Sequence, residues 1–144
     1  MLKVGGYLNI LIAVGHIIGL FWADKMFEVT GISHDMSDLA QIHSLLPYLL
    51  TIIVALAFFV FGLYGLSADN KFMKLPFLKV GVYGIAGIYL FRGCGGLLFD
   101  ILHGTNTLLE VMYSLIAIFI GLLFLLGGLR KWKFVSFKKE RSTL

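Results

Sequence analysis

The chain has 144 residues, enough for one domain. It is 59% hydrophobic and only 14% charged, with a mean hydropathy of +0.93, and a soluble domain of this size cannot hide that much apolar surface. The net charge is +4, and the one cysteine, Cys94, excludes an intrachain disulfide and a CxxC redox pair.

Four apolar runs reach the length of about 20 residues needed to cross a bilayer. They are Val4–Trp22, Leu45–Leu66, Phe77–Phe99 and Leu108–Leu129. The first is read as a retained helix, because "GLFWADK" at its end offers no small-x-small cleavage site. Gly5, Asn9, Ala13, His16 and Gly19 fall on one side of it at helical spacing. "GHIIG", Gly15 to Gly19, matches the small-xxx-small pattern of helix contacts and equally suits a dimer face. His16 as a haem or metal ligand lacks a second helical histidine at matching depth.

The longest connection follows, "ADKMFEVTGISHDMSDLAQIHS", residues 23–44. "TG" marks a turn, and Asp38 with Gln41 resembles a capping box, so the segment holds a short outer helix or leads directly into the second run. Its His34, His43 and four carboxylates fit no standard metal spacing, and the segment reads as a solvated loop. In the second run Tyr48, Thr51, Ala55 and Gly62 share a face.

The third run contains "YLFRGCGGLLFD", an arginine inside an apolar helix. Tyr89, Arg92, Gly96, Asp100 and His103 lie on one arc. An arginine facing lipid at this depth costs several kcal/mol, so Arg92 is expected to face inward and find a partner. Glu110 is the first candidate and Asp100 the second, since a guanidinium matches a carboxylate bidentately. The glycines at 93, 95 and 96 then make room for the head group or for a neighbouring helix. Cys94 has no helical His or Asp partner that would make it a nucleophile. In the fourth run Glu110, Ser114, Ala117, Gly121 and Gly128 line up.

Lysine and arginine placement sets the orientation. Lys3, the second connection (Lys71, Lys74, Lys79) and the tail (Arg130, Lys131, Lys133, Lys138, Lys139, Arg141) are basic, while the first connection carries only Lys25 and the third none. The positive-inside rule puts both termini in the cytoplasm and leaves the outer face acidic. Trp22 and Trp132 suit the interfacial aromatic belts, and the tail from residue 130 to 144 should hold to anionic headgroups rather than to nucleic acid.

The expected architecture is therefore all-α, a single integral membrane domain over residues 1–144 forming a four-transmembrane-helix bundle with one packed interior. Its polar groups gather in the outer half. "FEVTGI" and "FGLYGLSADNKFMKLPFLKVGVYGIAGIYLFRG" resemble a group of short bacterial four-helix membrane proteins, loosely DoxX-like in architecture, through Leu63, Tyr64, Leu66, Ser67, Leu75, Pro76, Arg92 and Gly93. The resemblance implies topology and an arginine at this place, and no activity; a bacterial inner membrane is the expected location. No cofactor signature and no catalytic set is legible. The residues expected to form a ligand site are Arg92, His16, Glu110, Tyr48, Tyr89, Asp100 and Ser114. They would take a polar-headed lipid or amphiphile, or a protein partner. The rival readings are a membrane enzyme or redox subunit using His16 and Glu110, and a small transporter or channel built as a homodimer. A role as accessory subunit of a larger membrane complex is a further expectation.

Overall fold

The computed structural model describes residues 1–70, 73–104 and 107–141, with the side chains of 69, 70 and 134–141 left aside. Lys71 and the side chains of Phe134, Phe137, Lys138, Lys139 and Arg141, used above for orientation and headgroup contact, lie outside the described residues.

Helix α1 covers Leu2–Gly19 and runs through a 3-10 turn, Leu20–Trp22, into α2, Ala23–Thr30. Gly31, at φ 78, ends α2, and its N–H donates to Glu28 O at 3.2 Å. An L side chain is disfavoured at that φ, which is why the "TG" turn sits there. Helix α3 follows as Ser33–Ile42. The first connection is thus two short helices rather than a loop. Asp38 and Gln41 do meet, at 3.5 Å, but within α3 and not at its start. Their i, i+3 spacing brings them together on any helix face.

The remaining spans are α4, Leu46–Asn70, α5, Leu78–His103, and α6, Leu108–Arg141. Four segments are long and apolar enough to cross a membrane: Leu2–Thr30, Leu46–Ala68, Leu78–His103 and Leu108–Lys133. The chain is an all-α, four-span bundle, and its outward faces are apolar, with Leu11, Ile53, Phe91 and Ile101 among the exposed side chains. Helix α6 runs on to Arg141, so the basic tail continues the fourth span. It projects about 12 Å beyond Lys133 at 1.5 Å per residue.

Two antiparallel hairpins build the bundle, α1 along α4 and α5 along α6. The first closes on glycines. A Cβ on Gly65 would stand 2.8 Å from Gly6 Cα, and one on Gly6 would stand 2.9 Å from Gly62 O. Helix backbones in lipid gain from such contact, since no hydrophobic force draws them together. The expected "GHIIG" pair does not serve this role. Gly15 meets nothing, and Gly19 receives the Met26 sulfur.

The hairpins join mainly towards the basic end. Leu2, Ala68, Val82 and Phe124 are all buried there, and Phe124 seats against Gly5. Lys79 and Asp100 of α5 are separated by about 32 Å at 1.5 Å per residue, close to the hydrocarbon thickness of about 30 Å. Asp100 therefore lies near the membrane boundary opposite Lys79.

Candidate ligand groove between the third and fourth spans

The expected single polar interior is divided in two. Three residues along a helix leave about 60° between side chains at 3.6 residues per turn. That angle separates Tyr89 from Arg92. Tyr89 turns into the bundle and Arg92 turns into a groove on its side.

Inside the bundle, Tyr89 Oη donates to Asn9 Oδ1 at 2.6 Å, and Asn9 Nδ2 donates to Gly5 O at 2.8 Å. Asn9 is completely buried. Phe58 and Phe61 pack their rings against Tyr89, and Phe58 also meets His16. His16 Nδ1 is occupied by Ile12 O at 2.8 Å. This group ties α1, α4 and α5 together, with Tyr89 Oη, both Asn9 polar atoms and His16 Nδ1 engaged. Asn9 belonged to a legible stripe, but its bond to Tyr89 joins residues 80 positions apart and no spacing rule reaches that far.

The groove lies between α5 and α6 and has a volume of about 590 Å³. Ile88, Phe91, Arg92, Gly95, Gly96, Phe99 and Asp100 line it from α5, and Glu110 and Ser114 from α6. Four of the expected site residues therefore meet: Arg92, Asp100, Glu110 and Ser114. His16 and Tyr89 belong to the bundle interior instead. Tyr48 is exposed and lies outside the groove. His16 and Glu110 share no site, which removes the geometry that a proton-transfer pair requires.

Arg92 is not paired as expected. Among the described residues no ion pair links it to Glu110 or Asp100. Glu110 is exposed and held by Thr107 in a capping box at the start of α6. Thr107 donates to Glu110 Oε2 from its N–H at 3.1 Å and from Oγ1 at 2.7 Å, and Glu110 N–H donates back to Thr107 Oγ1 at 3.3 Å. Thr-Leu-Leu-Glu is the capping-box spacing, and the orphan N–H groups of a helix start claim the carboxylate first. Nor does Arg92 face inward. Its aliphatic stem climbs along α5 towards the outer face, as long basic side chains do near a membrane boundary.

The head group ends over Gly96. A Cβ at Gly96 would stand 2.5 Å from Arg92 Nη1 and 2.8 Å from Ser114 Oγ. The three glycines thus divide their work. Gly93 admits α6, with Ser114 O at 2.8 Å from its absent Cβ, Gly96 admits the guanidinium, and Gly95 faces open space.

Two buried polar groups in the groove lack partners. Ser114 is 1% exposed and its Oγ makes no hydrogen bond. Asp100 is 8% exposed, and among the described residues its carboxylate takes part in no hydrogen bond or ion pair. Leaving the buried Ser114 hydroxyl unsatisfied costs about 1–3 kcal/mol. Among the described residues no three His, Cys, Asp or Glu side chains converge on a metal position. In comparisons with known proteins, no protein family, curated protein or solved structure matches the chain.

Proposed function

We propose that this small multi-pass membrane protein binds the headgroup of a lipid or similar amphiphile in the α5–α6 groove, with Arg92 as the contact for its phosphate or other anion. One observation carries the reading: the Arg92 guanidinium and the buried Ser114 Oγ both close on Gly96 at the groove wall, and among the described residues neither has a hydrogen-bond or ion-pair partner. An anionic oxygen in the groove beside them can accept from the guanidinium and the hydroxyl, and a guanidinium with a hydroxyl is a strong phosphate contact. The groove walls support an amphiphile, because Ile88, Phe91 and Phe99 offer apolar surface beside the polar head site. The reading also includes a bacterial cytoplasmic membrane with both termini inside, supported by Lys3, Lys74, Lys79, Arg130, Lys131 and Lys133 at one end of the spans. A reporter fused after Leu144 is then active only in the cytoplasm.

Native mass spectrometry from a mild detergent tests the binding. The wild-type protein should carry lipid adducts, and Arg92→Leu should lose them while keeping its fold. Equal adducts on both would refute the assignment of Arg92.

A further inference from the structure

The groove contains both signs of charge in a fixed order along the membrane normal. The Arg92 head group and Ser114 Oγ sit at the level of Gly96. Asp100 is one turn further out on α5, about 6 Å at 1.5 Å per residue. Glu110 joins it from α6, with Oε2 held by Thr107 and Oε1 making no hydrogen bond among the described residues. One cation against two carboxylates makes the site net acidic in its ionised form. A headgroup that brings only negative charge would relieve Arg92 and crowd the carboxylates.

Building on the reading that the groove holds a lipid headgroup, we infer that the occupant is a phospholipid whose phosphate bears a primary amine. The phosphate lies on Arg92 and Ser114, and the ammonium lies outward between Asp100 and Glu110. In phosphoethanolamine a two-carbon linker separates phosphate and ammonium, a span of the same order as one helical turn. The amine must carry hydrogen. A carboxylate accepts only, the Asp100 carboxylate opens onto the groove with no donor among the described residues, and a trimethylammonium group offers none. Charge complementarity thus selects a zwitterion, and hydrogen bonding selects a primary amine among zwitterions.

The test uses the full chain in detergent, offered equal amounts of phosphatidylethanolamine, its N-methylated and N,N-dimethylated forms, phosphatidylcholine and phosphatidylglycerol with identical acyl chains. Native mass spectrometry reads the bound fractions. Wild-type protein should retain the primary amine over phosphatidylcholine and phosphatidylglycerol by roughly tenfold, the ratio for loss of one charge-assisted hydrogen bond. Affinity should fall stepwise as N–H donors are replaced by methyl groups. Asp100→Asn should erase most of that preference while lipid still binds. Glu110→Gln keeps the capping box, which accepts glutamine, and provides the same readout if Asp100→Asn misfolds. Phosphatidylglycerol bound as well as phosphatidylethanolamine, with Arg92→Leu still abolishing both, would overturn the amine assignment and leave the anion site standing. Lipid binding that ignores Arg92→Leu would overturn the amine assignment together with the site it rests on.

Discussion

Tyr89 and Arg92 are one turn apart on the same helix, and their surroundings differ in kind. Around Tyr89 the hydrogen bonds close within the chain: Oη has Asn9, Asn9 has Gly5 O, and His16 Nδ1 has Ile12 O. Around Arg92 the polar atoms stand unbonded: Ser114 Oγ is buried without a partner, and the Asp100 carboxylate opens onto the groove. The first arrangement is complete within the chain and fixes how α1 meets α5. The second is complete only with something added. That difference separates a contact closed within the chain from a groove open to a further partner.

The contrast predicts a graded set of effects on thermal stability in detergent, largest at the closed contacts. Gly65→Leu should be the most damaging. Its side chain would meet Gly6 Cα and Leu2 O, both backbone atoms that cannot swing aside. Overpacking of this kind costs about 1–3 kcal/mol, and more where helices are forced apart. Gly95→Leu, built into open space, should leave the melting temperature unchanged, and an equal loss at both positions would contradict the hairpin packing.

Tyr89→Phe comes next. It strands the buried Asn9 oxygen, at about 1–3 kcal/mol in soluble proteins and about 0.6–1.7 kcal/mol in measured membrane cases. Adding Asn9→Leu should recover part of that loss, so the two changes should be clearly non-additive in a double-mutant cycle. Additive losses would mean that the Tyr89–Asn9 bond is not the staple.

Thr107→Ala should cost about 1 kcal/mol by removing the N-cap of α6. It also releases Glu110, and the changed carboxylate should alter lipid adducts more than Thr107→Ser does, since serine retains the cap.

Only a small stability change is expected at the most conspicuous residue. Arg92→Leu should shift stability by no more than about 0.5 kcal/mol, as for a side chain with no broken partner, while removing bound lipid. Combined with Glu110→Leu, its effect on stability should simply add. A loss at Arg92→Leu as large as that at Tyr89→Phe would erase the distinction between staple and groove.

Much of the bundle was legible because lipid simplifies the rule. A helix crossing hydrocarbon needs about 20 apolar residues, and the four runs show that length directly. The small-residue stripes were also readable: Gly5, Asn9, Ala13, Thr51, Ala55, Gly62, Ser114, Ala117 and Gly121 are all buried. Periodicity sorts the faces of one helix, whichever neighbour covers them. It fails at the outer ends of the same stripes, where Tyr48, Arg92, His103 and Glu110 are exposed.

What the tertiary structure alone decided is which face meets which helix. Pairing as two hairpins left a groove beside α5, and 60° of helical rotation, about the angle between residues three apart, placed Tyr89 in the core and Arg92 in that groove. Charge attraction in the sequence suggested Arg92 with Glu110. The unsatisfied N–H groups at the start of α6 are nearer and fixed in direction, so Thr107 and its helix end hold that carboxylate instead. Composition and period thus determine that the chain spans a membrane four times. Only packing decides that Asn9 and Tyr89 satisfy each other while Arg92, Ser114 and Asp100 are left facing a shared opening, because satisfaction of a polar group depends on neighbours that are distant in the chain.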